Sequence, residues 1–483
     1  MNTSQSFSTS RRAFLGGVGT LAAASPLLSA RGAAHGALPN VLFVLVDQWR
    51  FSAFSHGEVN DALVQTPNID NFVAEGLRWR KAYATSPVCT PERAVLMTGL
   101  YPHQTGMTHN DLMIPPGNRC FAEVFQQAGY ATHYIGKTHY DGEGRYDTVD
   151  AEGNTGWLPG DPSRRWRRRG FTTYQGFNRG HNFISTSAGN VAMVDDDGRT
   201  MTEVLNRYEP EFQRELAETF IQSNRERPWL CYLSWGPPHT PYDEVPAEYQ
   251  IYSVSESDRR PNVPAGNPGA GDLADYYAQC AALDDHFGRL MQFLEDEGLK
   301  DNTLVVFTSD HGDMHYSQNL EKKGHPEEES CHIPLFMRMP GTIPSGQVSD
   351  TLMNGVDVMP TLLSLCGLPS QKTCAGVDKS AAAKGQPMPE VDSIFCPHQG
   401  AWRMVRSDRY KLIVRDNTSP MSINSVTELF DMDSDPYEQT NLKDDPARAG
   451  VKQQLYDRLV QWIADTGDSW PAAPVKAKGM YTT

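Results

Sequence analysis

Four near-continuous apolar runs, residues 41–46, 131–135, 229–235 and 303–308, each stop abruptly against polar, chemically reactive side chains. Runs of that length without alternation are expected of strands buried on both faces. Amphipathic stretches lie between them. Thr66-Pro67 opens a predicted helix that reaches Glu75-Gly76, Asn118 opens another that ends at Gly129, and residues 272–297 make a long third. Strands alternating with helices predict an α/β fold, a large mixed, mostly parallel sheet flanked by helices. After Gly385 the texture changes: 393–396, 402–405 and 410–414 read as short antiparallel strands and 447–464 as a closing helix. Residues 37–385 are therefore assigned to a large N-terminal domain, and 386–483 to a smaller C-terminal α+β subdomain. Residues 141–180, rich in Gly, Asp and Arg with little periodicity, read as a long surface loop or an insertion.

The chemistry lies just beyond each run. The first leads to Asp47-Gln48, the second to Lys137 and His139, the third through Gly236-Pro237-Pro238 to His239, and the fourth to Asp310-His311. Open α/β sheets bind ligands at the carboxyl ends of their strands, so these groups are expected to share one site. Asp47, Gln48, Asp310 and His311 offer two carboxylates, an amide oxygen and an imidazole. Such a set suits Ca²⁺ or Mg²⁺, with the imidazole leaving room for Mn²⁺ or Zn²⁺. Taken singly, Asp310-His311-Gly312-Asp313 reads equally as a turn and Asp47 as a strand-end cap. A fifth piece is Cys89 to Gly99, where Thr90 suits an N-cap, Pro91 the first helical position and Gly99 the C′ position. A helix opening at Cys89, with Arg93 one turn on, favours an anion.

Composition narrows the partners. A formal charge of −16 lacks the basic footprint of a nucleic-acid binder. Eight cysteines, scattered and without a CxxC pair, support neither a disulfide scaffold nor structural zinc, although Cys366 and Cys374 are close enough to pair. The basic run from Arg164 to Arg169 reads as a solvated surface, or else as a contact for further anionic groups. Residues 1–36 carry Ser10-Arg11-Arg12-Ala13-Phe14-Leu15, a weakly apolar stretch and small residues around Ala30, Ala33 and Ala34. That is the pattern of a twin-arginine (Tat) signal peptide. It predicts passage through the Tat export machinery, a periplasmic or secreted location, and no transmembrane segment in the mature chain.

Cys89-x-Pro91-x-Arg93, followed by Leu96-Met97-Thr98-Gly99, resembles the signature of the type I sulfatases of the alkaline-phosphatase-like superfamily. The partner motifs occur in order: Asp47-Gln48, Gly136-Lys137-Thr138-His139, Pro238-His239, Ser309-Asp310-His311-Gly312, Lys323 ahead of Glu328-Glu329-Ser330, and Glu428-Leu429-Phe430-Asp431 with Asp435-Pro436 and Asn441-Leu442. The resemblance implies an alkaline-phosphatase-like fold with a catalytic sulfatase domain, and hydrolysis of sulfate monoesters, with sulfated carbohydrates preferred. It implies that a formylglycine-generating maturation enzyme oxidises Cys89 to formylglycine. One divalent metal, Ca²⁺ ahead of Mg²⁺ or Mn²⁺, would be held by Asp47, Gln48, residue 89, Asp310 and His311. Arg93 and Lys137 would hold the hydrated aldehyde, Lys323 and His239 would clamp the sulfate and protonate the leaving alcohol, and His139 would act as base when sulfate departs. His109 and Asn110 would line the pocket, whereas Asp313, His315, His325 and His332 stay outside it.

Three residues depart from the family pattern. Glu92 stands where Ser or Ala is usual, Gln48 replaces a second aspartate, and His311 replaces an asparagine. The last two resemble the choline-sulfatase and phosphonate-monoester-hydrolase branch. A phosphonate or phosphate monoester hydrolase is therefore the first alternative, and a non-catalytic, metal-stabilised binding protein the second.

Overall fold

Asn40–Val46 (β1) is buried along its whole length, and its side chains alternate between two cores. Val41, Phe43 and Leu45 enter one; Leu42, Val44 and Val46 enter the other. The computed structural model describes residues 38–57, 59–142, 166–371, 373–398, 400–415 and 421–470. The twin-arginine segment lies outside the described residues. Among the described residues, no helix is long and apolar enough to cross a membrane.

Seven further strands join β1: Leu77–Trp79 (β2), Ala131–Lys137 (β3), Thr173–Phe177 (β4), Trp229–Trp235 (β5), Thr303–Ser309 (β6), Leu335–Arg338 (β7) and Gln347–Ser349 (β8). Their order across the sheet is β4-β3-β5-β1-β6-β7-β2-β8. From β4 to β6 every pairing is parallel; β7 is antiparallel to both β6 and β2. This is the large mixed, mostly parallel sheet that the alternation of strands and helices predicts. On one face Phe43 stacks on Tyr232 with ring centroids 4.7 Å apart. On the other, the long helix Ala270–Asp296 buries Leu273, Tyr276, Tyr277, Leu283 and Phe287 against β1, β5 and β6. Each such side chain contributes about 1.5–3 kcal/mol by leaving water.

The second body of regular structure is an antiparallel sheet of Ser393–His398 (β9), Trp402–Ser407 (β10), Tyr410–Val414 (β11) and Glu428–Asp431 (β12), in that order, closed by the helix Ala449–Thr466. Its Phe395, Val405 and Leu412 share a core with Val95 of the helix Cys89–Thr98 (α1) and Val356. A buried charge cluster adds a second link: Lys411 Nζ lies 2.6 Å from both Glu328 Oε1 and Glu438 Oε1, and donates to Pro326 O at 2.9 Å.

Several expectations change. The 141–180 stretch is not simply a surface loop, because it contains the edge strand β4, whose Thr and Gln carry little apolar signal. The Arg run is not a solvated surface either. Arg167, Arg168 and Arg169 are buried: Arg167 pairs with Asp141 at 2.7 Å, Arg168 with Asp196 at 2.9 Å, and Arg169 donates to Ile114 O and stacks on Trp166. Residues 143–165 of this stretch, Arg164 and Arg165 among them, lie outside the described residues. The Asn118 helix is shorter than expected, Phe121–Gln127, because Glu123 caps it by accepting the Cys120 N–H at 2.6 Å. Cys366 and Cys374 both carry free thiols.

Lys411→Met would leave Glu328 and Glu438 facing each other without their shared cation. We expect a loss of about 3–5 kcal/mol in unfolding free energy, read from denaturant titration of the variant against the parent.

Candidate active site

Parallel pairing sets the site. Val46 lies opposite both Trp235 and Ser309, so β1, β5 and β6 end level, and the residues after them leave from one edge. One strand further out, β3 runs on to Lys137. Gly136 permits that: its φ is +93°, and a Cβ there would sit 2.1 Å from Ser234 O. Opposite this edge stands α1, with Cys89 in its first turn and Gly99 closing it at φ +64°. The N-cap is Val88, not Thr90; the Thr90 hydroxyl donates instead to His139 O. Asn110 Oδ1 accepts the Thr90 N–H at 3.0 Å and so caps the helix, whereas His109 is exposed.

The donor atoms of Asp47, Cys89, Asp310 and His311 lie within 4.8 Å of one another, all buried. His311 donates Nδ1–H to Gly312 O at 3.0 Å, leaving its Nε2 lone pair 3.2 Å from Cys89 Sγ and 3.5 Å from an oxygen of each carboxylate. A carbonyl holding the far nitrogen is how proteins orient metal-ligating imidazoles. Acceptor atoms gathered this closely, with two carboxylates among them, fit a divalent cation. Gln48 adjoins the group, its backbone N–H donating to Asp310 Oδ1 at 3.1 Å. Its amide is fixed by other partners: Oε1 accepts from Lys323 Nζ at 2.8 Å, and Nε2 donates to Asp313 Oδ2 at 2.6 Å.

Cations surround this acidic pair. Lys137 Nζ donates to Asp47 Oδ2 and lies 4.0 Å from Cys89 Sγ. Arg93 bridges Asp310 Oδ2 at 2.8 Å and Asp47 Oδ2 at 3.1 Å, with Lys137 O and Ser234 Oγ each at 2.8 Å from its remaining nitrogen. Lys323 Nζ is 2.5 Å from His239 Nε2. His139 Nε2 is 3.2 Å from Asp111 Oδ1, and its buried Nδ1 has no hydrogen-bond partner among the described residues. Asp47, Gln48, Cys89, Arg93, Lys137, His139, His239, Asp310, His311 and Lys323 are thus gathered in one buried cluster, whereas His109, expected to line it, is exposed.

The charges perturb one another. Burial, with the Cys89 sulfur alongside, pushes the Asp47 carboxyl up, but Lys137, His239 and Arg93 hold it well below the usual carboxylate range. Burial, with Asp47 beside it, raises Asp310. The Cys89 thiol is pulled well below its ordinary value, because Lys137, Lys323 and His311 outweigh the burial that opposes ionisation. Burial and the Lys323 ammonium push His239 down to about 4. Glu92, buried beneath the hollow, is pushed well up, chiefly by burial.

Four residues with a place here are not among the expected site residues, and one of them, Asp313, is read from the sequence as lying outside the pocket, a reading its contact with Gln48 corrects. Asp313 and Tyr242 hold Gln48, Asp111 holds His139, and His181 stacks on His239. Asp313 alone lies within one of the sequence motifs. His181 and Asp111 carry no signal beyond lying near the end of an unread strand and of the Cys89 segment.

A family model described as sulfatase matches residues 39–368, and one described as the C-terminal region of N-sulphoglucosamine sulphohydrolase matches 321–465. An ulvan-active sulfatase of Formosa agariphila is 30% identical over 450 residues, covering 89% of this chain and 82% of its own. An endo-4-O-sulfatase of Bacteroides thetaiotaomicron is 27% identical over 493 residues, covering 89% and 93%. The solved structure of yidJ from Bacteroides fragilis matches with a TM-score of 0.77 at 27% identity, covering 90% of this chain and 97% of that one. Sheet, site and matches together define an enzyme of the alkaline-phosphatase-like superfamily. Within it the chain belongs to the sulfatase family, and it is a sulfuric ester hydrolase.

Gly312 tests how tightly the site is built. A Cβ there would fall 2.0 Å from Glu329 O and 3.0 Å from Arg50 Cα, so Gly312→Ala must displace the backbone that carries Asp310 and His311. We expect kcat/KM to fall on the order of a hundredfold, the cost of misplacing reacting groups by about 1 Å, with the far-ultraviolet circular dichroism unchanged.

Proposed function

We propose that this sulfatase is exported and hydrolyses sulfate monoesters of sulfated carbohydrates, with residue 89 as formylglycine and one divalent cation held by Asp47, Gln48, residue 89, Asp310 and His311. One observation carries the reading: a cysteine at a helix mouth stands among two carboxylates and an imidazole on one side and Lys137, Lys323 and His239 on the other. The relatives named for ulvan and for 4-O-sulfate support a saccharide substrate. The twin-arginine pattern of residues 1–36 supports export.

When bound, the cation supplies positive charge to the sulfate oxygens and the nucleophile. The hydrated aldehyde supplies one hydroxyl for attack on sulfur and a second through which sulfate is expelled. The chain's own residues do the rest. Arg93 and Lys137 neutralise Asp47 and Asp310 and hold residue 89 against them. With Nε2–H committed to Asp111, His139 takes a proton from residue 89 at Nδ1. Lys323 and His239, sharing one short contact, meet the ester oxygen and return a proton to the departing alcohol. Donors fixed before the substrate arrives need no reorganisation as charge develops.

Gln48 and His311 favour a second reading, hydrolysis of phosphonate or phosphate monoesters on the same scaffold. Parallel turnover of aryl sulfate, phosphate and phosphonate separates the two, and we expect kcat/KM for the sulfate to lead. Cys89→Ala should abolish turnover. On protein made with a maturation enzyme, the Cys89 peptide should be lighter by the difference between a thiol and an aldehyde, read by mass spectrometry. Asp310→Asn should lose the bound cation by elemental analysis while keeping its circular dichroism; unchanged metal content would refute Asp310 as a ligand.

A further inference from the structure

His181 has no part in that reaction. Its ring lies parallel to that of His239, centroids 3.8 Å and planes 4° apart, and its Nε2 is 3.4 Å from Lys137 Nζ. An ammonium only donates, so Nε2 is the accepting nitrogen and the ring is neutral. Burial, with His239 and Lys137 alongside, holds it in that form by pushing its pKa well down.

The stack is built into the two loops that carry it. His181 follows the edge strand β4, and two residues on the Phe183 and Ile184 N–H groups both donate to the Glu244 carboxylate, at 3.3 Å for Ile184. The Phe183 ring covers Gly236 so closely that a Cβ there would fall 2.6 Å from it. Gly236 and Glu244 lie on either side of His239 in its own loop, which laces the two loops together around the paired rings. The edges of His239 are held as well: Nδ1–H donates to Thr240 O at 2.7 Å, and Nε2 faces Lys323 at 2.5 Å. Edge contacts stop the ring sliding in its plane. The flat neighbour at its face sets the plane itself.

We propose that His181 is a positioning residue for the leaving-group side of the reaction: by stacking on His239 it fixes the direction in which the His239–Lys323 pair meets the ester oxygen. The inference rests on the proposed role of His239 and Lys323. When the bond from sulfur to the alcohol oxygen breaks, a sugar alkoxide needs a proton and a nitrophenolate scarcely does. Losing the stack should therefore cost most where the leaving group is poorest.

The test measures kcat/KM of the matured, metal-loaded enzyme on a series of aryl sulfates whose parent phenols span a wide range of acidity. His181→Ala should lose about 3-fold on the best leaving group and about 30-fold or more on the poorest, steepening the dependence on phenol acidity. His181→Phe, which keeps a flat face and removes both nitrogens, should retain the parental slope. In a His239→Ala background, His181→Ala should steepen nothing further, the non-additivity of residues that act as one unit. An equal loss across the series for His181→Ala, or full additivity in the double variant, overturns the inference. The His239→Ala line reads the underlying assignment. If it steepens while His181→Ala stays parallel to the parent, the inference alone falls; if it does not steepen, the role of His239 falls and the inference with it.

Discussion

A carboxylate sealed from water needs opposite charge beside it, and Asp47 is fully buried. Much of the architecture meets that need. Lys137 reaches it from the end of β3 and Arg93 from α1, and the same guanidinium continues to Asp310 after β6, to Ser234 within β5 and to the Lys137 carbonyl. One arginine thus ties together the ends of four neighbouring strands and the helix that carries Cys89. The cations that allow two acids to stay dry are also groups assigned to sulfate handling in the proposed reaction, so folding and binding would draw on the same side chains.

Much of this is legible in the sequence because burial on both faces writes itself as unbroken apolar runs. The four central strands can be read to within two residues at either end, since each lies where no alternation is permitted. The rule that functional groups sit at the ends of such strands then finds Asp47, Lys137, His139, His239, Asp310 and His311 together. It fails where its premise fails. Thr173–Phe177 is an edge strand with partly exposed Thr and Gln, so it escapes the pattern, and His181, which comes after it, escapes too.

Other omissions have a different origin. Asp313 and Asp111 act by holding Gln48 and His139 across the fold, and a contact between residues far apart in sequence has no local signature. The arginine run misleads for a related reason. Charge density in sequence suggests solvent, yet Asp141, Asp196 and main-chain carbonyls drawn from different segments absorb the three described arginines into the interior. Composition reports charge; only the tertiary fold reports the counter-charge.

The link between Lys411 and the segment around Glu328 bears on the order of events at the ribosome. Lys323 enters the tunnel well before β10 and β11, yet its neighbour Gly324 is held by the indole N–H of Trp402 at 2.9 Å, and Pro326 by Lys411 itself. A nascent chain that already contains Lys323 and the rest of the buried cluster still lacks the two hydrogen bonds that hold the segment just after it. The segment that follows Lys323 is therefore pinned only once β10 and β11 have been made, which couples the last-made sheet to the loop carrying that lysine.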